Sequence, residues 1–355
     1  MSSTRVLSAG DVAAIVDIVG VHALMDAMID SVNAAFLGYD DQEFSVPVRS
    51  GVNYSSPAPG LVEWMPVLAK GRNAFAKTVT YHPRNPSAHQ RPSIASTGSL
   101  YDIETGRLTA LSDLAFLTAL RTGAASAVAS RLLAEPESAI LGVIGAGAQA
   151  VTQIHALSRC FPIRKILFCD IDPAATASLI ARVRGLIAPD TEVRQADIGE
   201  IVRQSDILCT CTSIEAGEGP LFADMKTQSW LHINAVGADF PGKTELPTSL
   251  LQRGLVVPDF REQAVIEGEC QRLEAAEIGP DIVKVLQTDG ANYAGRTRLT
   301  VFDSTGYAIE DYAAMLLILD LAERHNVGVM MDLSASIGDP LNPYAREDRA
   351  QAAAE

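Results

Sequence analysis

The chain has 355 residues, 48% of them hydrophobic, and a formal net charge of −15 at pH 7. That length holds two domains or one large α/β unit, and so acidic a balance disfavours nucleic acid and anionic membrane as partners. No apolar run approaches the ~18 residues of a membrane span, Asp11 and Asp17 interrupt the first apolar segment, and the five cysteines lack metal-ligand spacing. Reduced thiols, no bound metal and a cytoplasmic location are the expectation.

In chain order, residues 11–37 alternate at helical spacing and read as two helices broken near Gly20. Short strands punctuated by Pro and Gly follow at Phe44–Tyr54, Leu61–Leu68, Phe75–Tyr81, Ser93–Ile103 and Leu108–Ser112. They form a meander rather than alternating β-α units, so the N-terminal third should be a mostly antiparallel sheet. Arg49, Glu63 and Lys77 stand out as polar positions within it, readable as a solvated strand face or as site residues. Leu111–Leu133 reads as one long helix whose many alanines, around Arg121, suit close packing.

The most specific stretch is Ser138–Ala156. An apolar run, Ala139–Ile144, feeds into Gly145-x-Gly147-x-x-Ala150 and then a helical pattern with Val151, Ile154 and Leu157 on one face. The first glycine allows the tight turn, the second lets backbone approach a pyrophosphate, and the small third residue lets helix pack on strand. The helix N-terminus would then receive the phosphates. A second strand, Arg164–Asp170, ends in an acid placed for a ribose diol. Asp170 and Asp172, with no arginine just after them, favour NAD over NADP.

Further strands are expected at Glu192–Ala196, Asp206–Thr212, Trp230–Val236, Leu255–Pro258 and Arg298–Ser304, separated by helical segments. After the strand ending at Gly237 come Asp239 and Lys243, held by a Pro-Gly turn on the side where ligands of such sheets collect. A last amphipathic helix, Ile309–His325, should return to the N-terminal part, and the tail from Pro343 should fray.

Taken together, Arg121-Thr-Gly-Ala-Ala-Ser, Gly145-Ala-Gly-Ala-Gln-Ala, His232-Ile-Asn-Ala-Val-Gly-Ala-Asp239-x-Pro-Gly-Lys243-Thr-Glu-Leu, Glu267-Gly-Glu and Phe302-Asp-Ser304-x-Gly resemble the ornithine cyclodeaminase/mu-crystallin family, from about Arg49 to Tyr312. Through Pro59-Gly-x-x-Glu63-Trp-Met-Pro, Lys77-Thr-Val and Glu267-Gly-Glu-Cys-Gln it is most similar to the lysine cyclodeaminase branch. The resemblance implies an α/β fold: a Rossmann NAD-binding domain at 128–308, a discontinuous, mostly antiparallel α+β domain for substrate and dimerisation at 1–127 and 309–345, and a tail at 346–355. It implies a homodimer acting on a small amino acid with a recycled NAD. By matching positions, Arg49, Lys77 and Arg121 would grip the substrate carboxylate, and Asp239 would be the acid/base, with Lys77 also in the catalytic set. Ser93, Thr122, Gly145, Gly147, Ala148, Gln149, Asp170, Thr212, Asn234, Val236, Lys243 and Ser304 would line the cofactor. Ser93 stands where ornithine cyclodeaminase has a threonine, and the hydroxyl survives.

The implied reaction is redox-neutral cyclodeamination of L-lysine to L-pipecolate with loss of ammonia. Glu63 is the candidate partner of the distal ammonium, because an amine leaving water needs an acceptor, and Leu61 and Ile94 are plausible apolar walls. Ornithine, giving L-proline, differs by one methylene, worth only ~1–3 kcal/mol in an apolar pocket. An amino-acid dehydrogenase or imine reductase, and a non-catalytic binding protein of the mu-crystallin kind, are the competing readings. Retention of Asp239, Lys77 and both arginines argues against the last.

Overall fold

The computed structural model describes residues 3–288, 294–333 and 339–345. The first part runs β1 (Thr4–Leu7), α1 (Ala9–Val19), α2 (Val21–Leu37), β2 (Phe44–Ser45), β3 (Ser50–Tyr54), β4 (Gly60–Ala69), β5 (Asn73–Tyr81), α3 (Asn85–His89), β6 (Ile94–Asp102), β7 (Leu108–Asp113) and α4 (Ala115–Leu133). Then come β8 (Ile140–Ile144), α5 (Ala148–Cys160), β9 (Lys165–Cys169), α6 (Pro173–Val183), β10 (Glu192–Gln195), α7 (Ile198–Gln204), β11 (Ile207–Thr210), β12 (His232–Ala235), α8 (Thr248–Arg253), β13 (Leu255–Pro258), α9 (Arg261–Glu267), α10 (Ile282–Thr288), β14 (Thr300–Asp303), α11 (Ala308–Arg324) and β15 (Val329–Met331).

The strands make two sheets. One has the order β15-β1-β7-β6-β5-β4-β2, with β3 paired to β4. Its centre, β4 to β7, is the expected antiparallel meander, with Met65 opposite Lys77 and Glu63 opposite Val79. The other, β10-β9-β8-β11-β12-β14-β13, is parallel throughout. Its order reverses between β8 and β11, and ligands of such sheets settle at the carboxyl ends beside that point. The fold is therefore α/β, a Rossmann-type parallel sheet joined to a mostly antiparallel α+β part.

Local chemistry explains the first helices. Ser8 caps α1 by accepting from the Asp11 N–H at 3.2 Å, while the Asp11 carboxylate accepts from the Ser8 N–H at 2.8 Å. Gly20 then breaks the run, as expected, and α2 begins at Val21. α11 packs against α2 and α4, returning to the N-terminal part.

Three details differ from the sequence reading. The expected strand Phe44–Tyr54 is interrupted from Val46 to Arg49, because Pro47 has no N–H for a ladder; Arg49 therefore stands in a connection. The helix expected from Leu111 begins at Ala115, since Leu111 is paired with Val6 and Ser99 in the sheet. Strands β1 and β15, of four and three residues, are too short to show a period. The tail expected at 346–355 lies outside the described residues.

α4 runs from one sheet to the other and is buried along nearly its whole length. Its small residues matter at Gly123, where a Cβ would stand 2.6 Å from the Thr152 carbonyl oxygen on α5. Backbone cannot yield as a side-chain tip can. Gly123→Ala should cost about 1–3 kcal/mol by overpacking, read as a lower thermal midpoint, whereas Ala124→Gly in the same helix should cost only about 1 kcal/mol. Among the described residues no single helix is long and apolar enough to cross a membrane, and all five cysteines are free.

Candidate functional site

The site lies where the carboxyl ends of the parallel strands face the antiparallel sheet. On the parallel side, Gly145 holds φ at +101°, and a Cβ there would stand 2.7 Å from the Cys211 carbonyl oxygen; only glycine meets both demands. Gly147 opens onto empty space and precedes α5, whose first turn no side chain caps. Its N–H groups are thus free for an anion. The Asp170 carboxylate, at the end of β9, accepts from the Ala146 N–H at 2.5 Å and the Asp172 N–H at 2.8 Å, tying the turn to the strand.

Arg182 on α6 was not anticipated. It donates to the carbonyls of Ala146 (2.6 Å) and Gly147 (3.2 Å), which holds the turn and adds a positive charge beside it. Glycines for the approach, uncapped N–H groups, an arginine and a terminal acid are the donor and acceptor set a dinucleotide requires, so the residues fit NAD.

The neighbouring cavity has a volume of about 330 Å³ and brings together Arg49, Leu61, Glu63, Lys77, Ile94, Arg121, Thr122, Gln149, Val236, Asp239, Lys243 and Ser304. With Glu215, which also lines it, four cations and three anions meet there from six separate stretches of chain. Lys77, on β5, is 1% exposed and its Nζ lies 2.8 Å from Asp311 Oδ1. Arg121 Nε lies 2.9 Å from the same oxygen, and its Nη1 is 2.7 Å from Glu310 Oε2. Arg49 Nε is 2.7 Å from Glu267 and 3.6 Å from Glu63, while its Nη2 donates to the Asp239 carbonyl at 2.6 Å. Lys243 Nζ is 3.2 Å from Asp239 Oδ1 and sits over the Tyr81 ring at 5.4 Å.

Burial dominates the electrostatics. It brings the Lys77 ammonium down to about 8, against the opposing pull of Asp311. It pushes Glu267 up to about 8 despite Arg49 and also raises Glu63. Asp311 differs: burial pushes it up, but Arg121 and Lys77 together hold it below its ordinary value. Asp239 is the most open of the acids paired with the cavity's cations, with a side chain 48% exposed, so it can meet a ligand that enters the cavity.

Not every residue of the sequence reading lines the cavity. Gly145, Gly147, Ala148 and Asp170 belong to the glycine turn and its flank. Thr212 donates from N–H and hydroxyl to Glu245 Oε1, at 2.8 and 2.7 Å. Glu245, fully buried, also accepts from the Gly237 N–H at 2.9 Å and so pins the ends of β11 and β12 together. Asn234 is turned the other way. It is fully buried, its amide donates to Ser130 Oγ on α4 at 3.0 Å, and its oxygen meets His232. Ser93 also stands outside the lining, just before β6, where its carbonyl accepts from the His82 N–H at 2.7 Å. Glu267, Glu310 and Asp311 were given no role by sequence; the last two sit in the first turn of α11, where acids are common for helix-dipole reasons alone.

The model of the ornithine cyclodeaminase/mu-crystallin family matches residues 10–326. The chain belongs to this family. Among cyclodeaminases, the L-lysine cyclodeaminase of Streptomyces rapamycinicus is 40% identical over 344 residues, 96% of this chain and 99% of that protein. The ornithine cyclodeaminase of Agrobacterium tumefaciens is 32% identical over 287 residues, 80% of this chain and 79% of its own. A lysine cyclodeaminase structure, described for recognition of L-lysine, L-ornithine and L-2,4-diamino butyric acid, superposes with a TM-score of 0.93 at 44% identity, covering 97% of this chain and all of that one. An archaeal alanine dehydrogenase dimer with bound NAD gives 0.82 at 28% identity over 94% of this chain and all of that one. The family spans lyase and dehydrogenase chemistry, so the cavity must decide between them.

Proposed function

We propose that the protein cyclises L-lysine to L-pipecolate with release of ammonia, holding an NAD that is regenerated in each turnover. What supports this reading is a single cavity that offers three cations for a carboxylate, a solvent-reaching Asp239 beside them, and an acid, Glu63, for the far end of the substrate. A simple dehydrogenase of small amino acids has no use for that second anionic end.

Gly145, Gly147, the α5 N-terminus and Asp170 would hold NAD, with Gln149, Val236 and Ser304 on its cavity side. When bound, NAD supplies a hydride acceptor for Cα and returns a hydride to the same carbon later. The protein's residues do the rest. Arg49, Lys77 and Arg121 fix the carboxylate so that Cα has one orientation. Asp239 takes a proton from the α-amino group and later exchanges one with the distal amine, which must be neutral to attack and close the ring. Lys243 keeps Asp239 aimed into the cavity. Glu63 receives the distal ammonium on entry, and Leu61 and Ile94 exclude water from the methylenes.

We propose further that 1–127 with 309–345 make the substrate and dimer part and 128–308 the NAD part, in a cytoplasmic homodimer. The deciding assay gives the protein L-lysine or L-ornithine with NAD at a small fraction of the substrate. Pipecolate and ammonia in excess of NAD, with no NADH accumulating, is the expected result. Proline from ornithine as the preferred product would move the activity to the sister enzyme, and product that stops at one equivalent of NAD would make it a dehydrogenase.

A further inference from the structure

Two of the cavity's cations share one acid behind them. Lys77 Nζ and Arg121 Nε converge on Asp311 Oδ1 at 2.8 and 2.9 Å, from β5 and α4 respectively, with α11 supplying the acid. All three side chains are at most 6% exposed. Asp311 does not line the cavity, while both cations do. Its other oxygen, Oδ2, is buried with no hydrogen-bond partner among the described residues, so nothing else competes with the two cations for this carboxylate.

We propose that Asp311 is a positioning residue that keeps Lys77 charged and aimed into the cavity, so that Lys77 can bind the substrate carboxylate. This rests on the functional reading given above. The need for it follows from what faces Lys77. Arg121 from α4 and Arg49 from the connection before β3 both repel an ammonium there, and burial disfavours its charge; Glu63 on β4 and Asp311 on α11 oppose them. Lys77 already stands near 8 with Asp311 in place. Without that carboxylate, burial and the two arginines would weaken its charge further, and with it the hold on an anion, across the neutral and alkaline range. Glu310 acts differently, because it contacts Arg121, which stays charged whatever its neighbours.

The test is kcat/KM for L-lysine from about pH 6 to about pH 10, which reports groups of the free enzyme, in wild type and Asp311→Asn. NAD binding at each pH serves as the check on folding. The wild-type alkaline limb should include a step near pH 8, and in Asp311→Asn that step should move down by about one unit, raising KM roughly tenfold in that range with kcat changed far less. Glu310→Gln should weaken binding without moving it. A folded, NAD-binding Asp311→Asn enzyme that loses activity uniformly, its limb unmoved, would overturn the proposal by reducing Asp311 to a structural part. If that variant does not fold, Lys77→Arg in a Glu267→Gln, Glu310→Gln background decides, since those two acids also stand near 8: the fixed charge should remove the remaining step, and a step retained there would overturn the proposal equally. Wild-type protein that releases no ammonia from lysine would sink the functional reading and this proposal with it; an active wild type with an unmoved limb sinks this proposal alone.

Discussion

Asp239→Asn should abolish ammonia release while leaving NAD bound. The two side chains are nearly isosteric, and the contact that fixes this part of the loop uses backbone: Arg49 Nη2 donates to the Asp239 carbonyl at 2.6 Å, which the substitution leaves in place. What disappears is the proton acceptor and the charge 3.2 Å from Lys243. General acid–base groups contribute about 10²–10⁴ in rate, and here one carboxylate serves several proton transfers, so the loss should lie at the upper end. Ammonia release measured beside a fluorescence titration of NAD separates the two effects. Turnover within a few-fold of wild type would end the role of Asp239, and loss of NAD binding would mean that the substitution had disturbed the fold instead.

Arg121→Leu should be the most damaging single change to both stability and substrate binding. Arg121 compensates Asp311 at 2.9 Å and Glu310 at 2.7 Å, and both acids are essentially inaccessible to water. Removing one partner of a buried charge group typically costs about 3–5 kcal/mol, because the other charge is stranded. The pH dependence has a definite sign. Burial already raises Glu310 to about 8 with Arg121 present, and it would rise further alone. A group whose folded value exceeds its unfolded one stabilises the fold fully below the unfolded value and loses that contribution as pH climbs through the folded one. The Glu310 part of the variant's deficit should therefore be present only above about pH 8, while the part from Asp311, which Arg121 holds below its ordinary value, should persist below that and shrink as pH falls and the stranded carboxylate takes up a proton. Thermal unfolding of both proteins at several pH values tests this; a deficit independent of pH would show that lost packing, not stranded charge, sets the cost.

Legibility in the sequence followed distance along the chain. The glycine turn and its acid lie within one β-α-β unit, and the conformations they need are written in residue type: a φ only glycine tolerates at Gly145, a carboxylate at the end of β9. The meander was readable because its strands follow one another with turn residues between. Pro47 could have shown that Arg49 stands in a connection, since proline cannot enter a central ladder. Asn234 was harder. β12 is four residues long and buried on both sides, so no alternation of polarity tells that Asn234 meets Ser130 of α4.

The sequence by itself determined the α/β class, the dinucleotide turn, the family, and the residue types needed for a carboxylate and a proton transfer, because each rests on local conformation or on side-chain chemistry that travels with the residue. Tertiary structure alone decided how those charges are balanced. Asp311 lies 234 residues from Lys77 and 190 from Arg121, and Glu267 reaches Arg49 from α9, after six of the seven parallel strands. Nothing near any of them in the chain marks the pairing. Only when α11 returns to the antiparallel sheet does burial remove the water that would otherwise screen these charges, and from that point each cation needs a particular acid at its side.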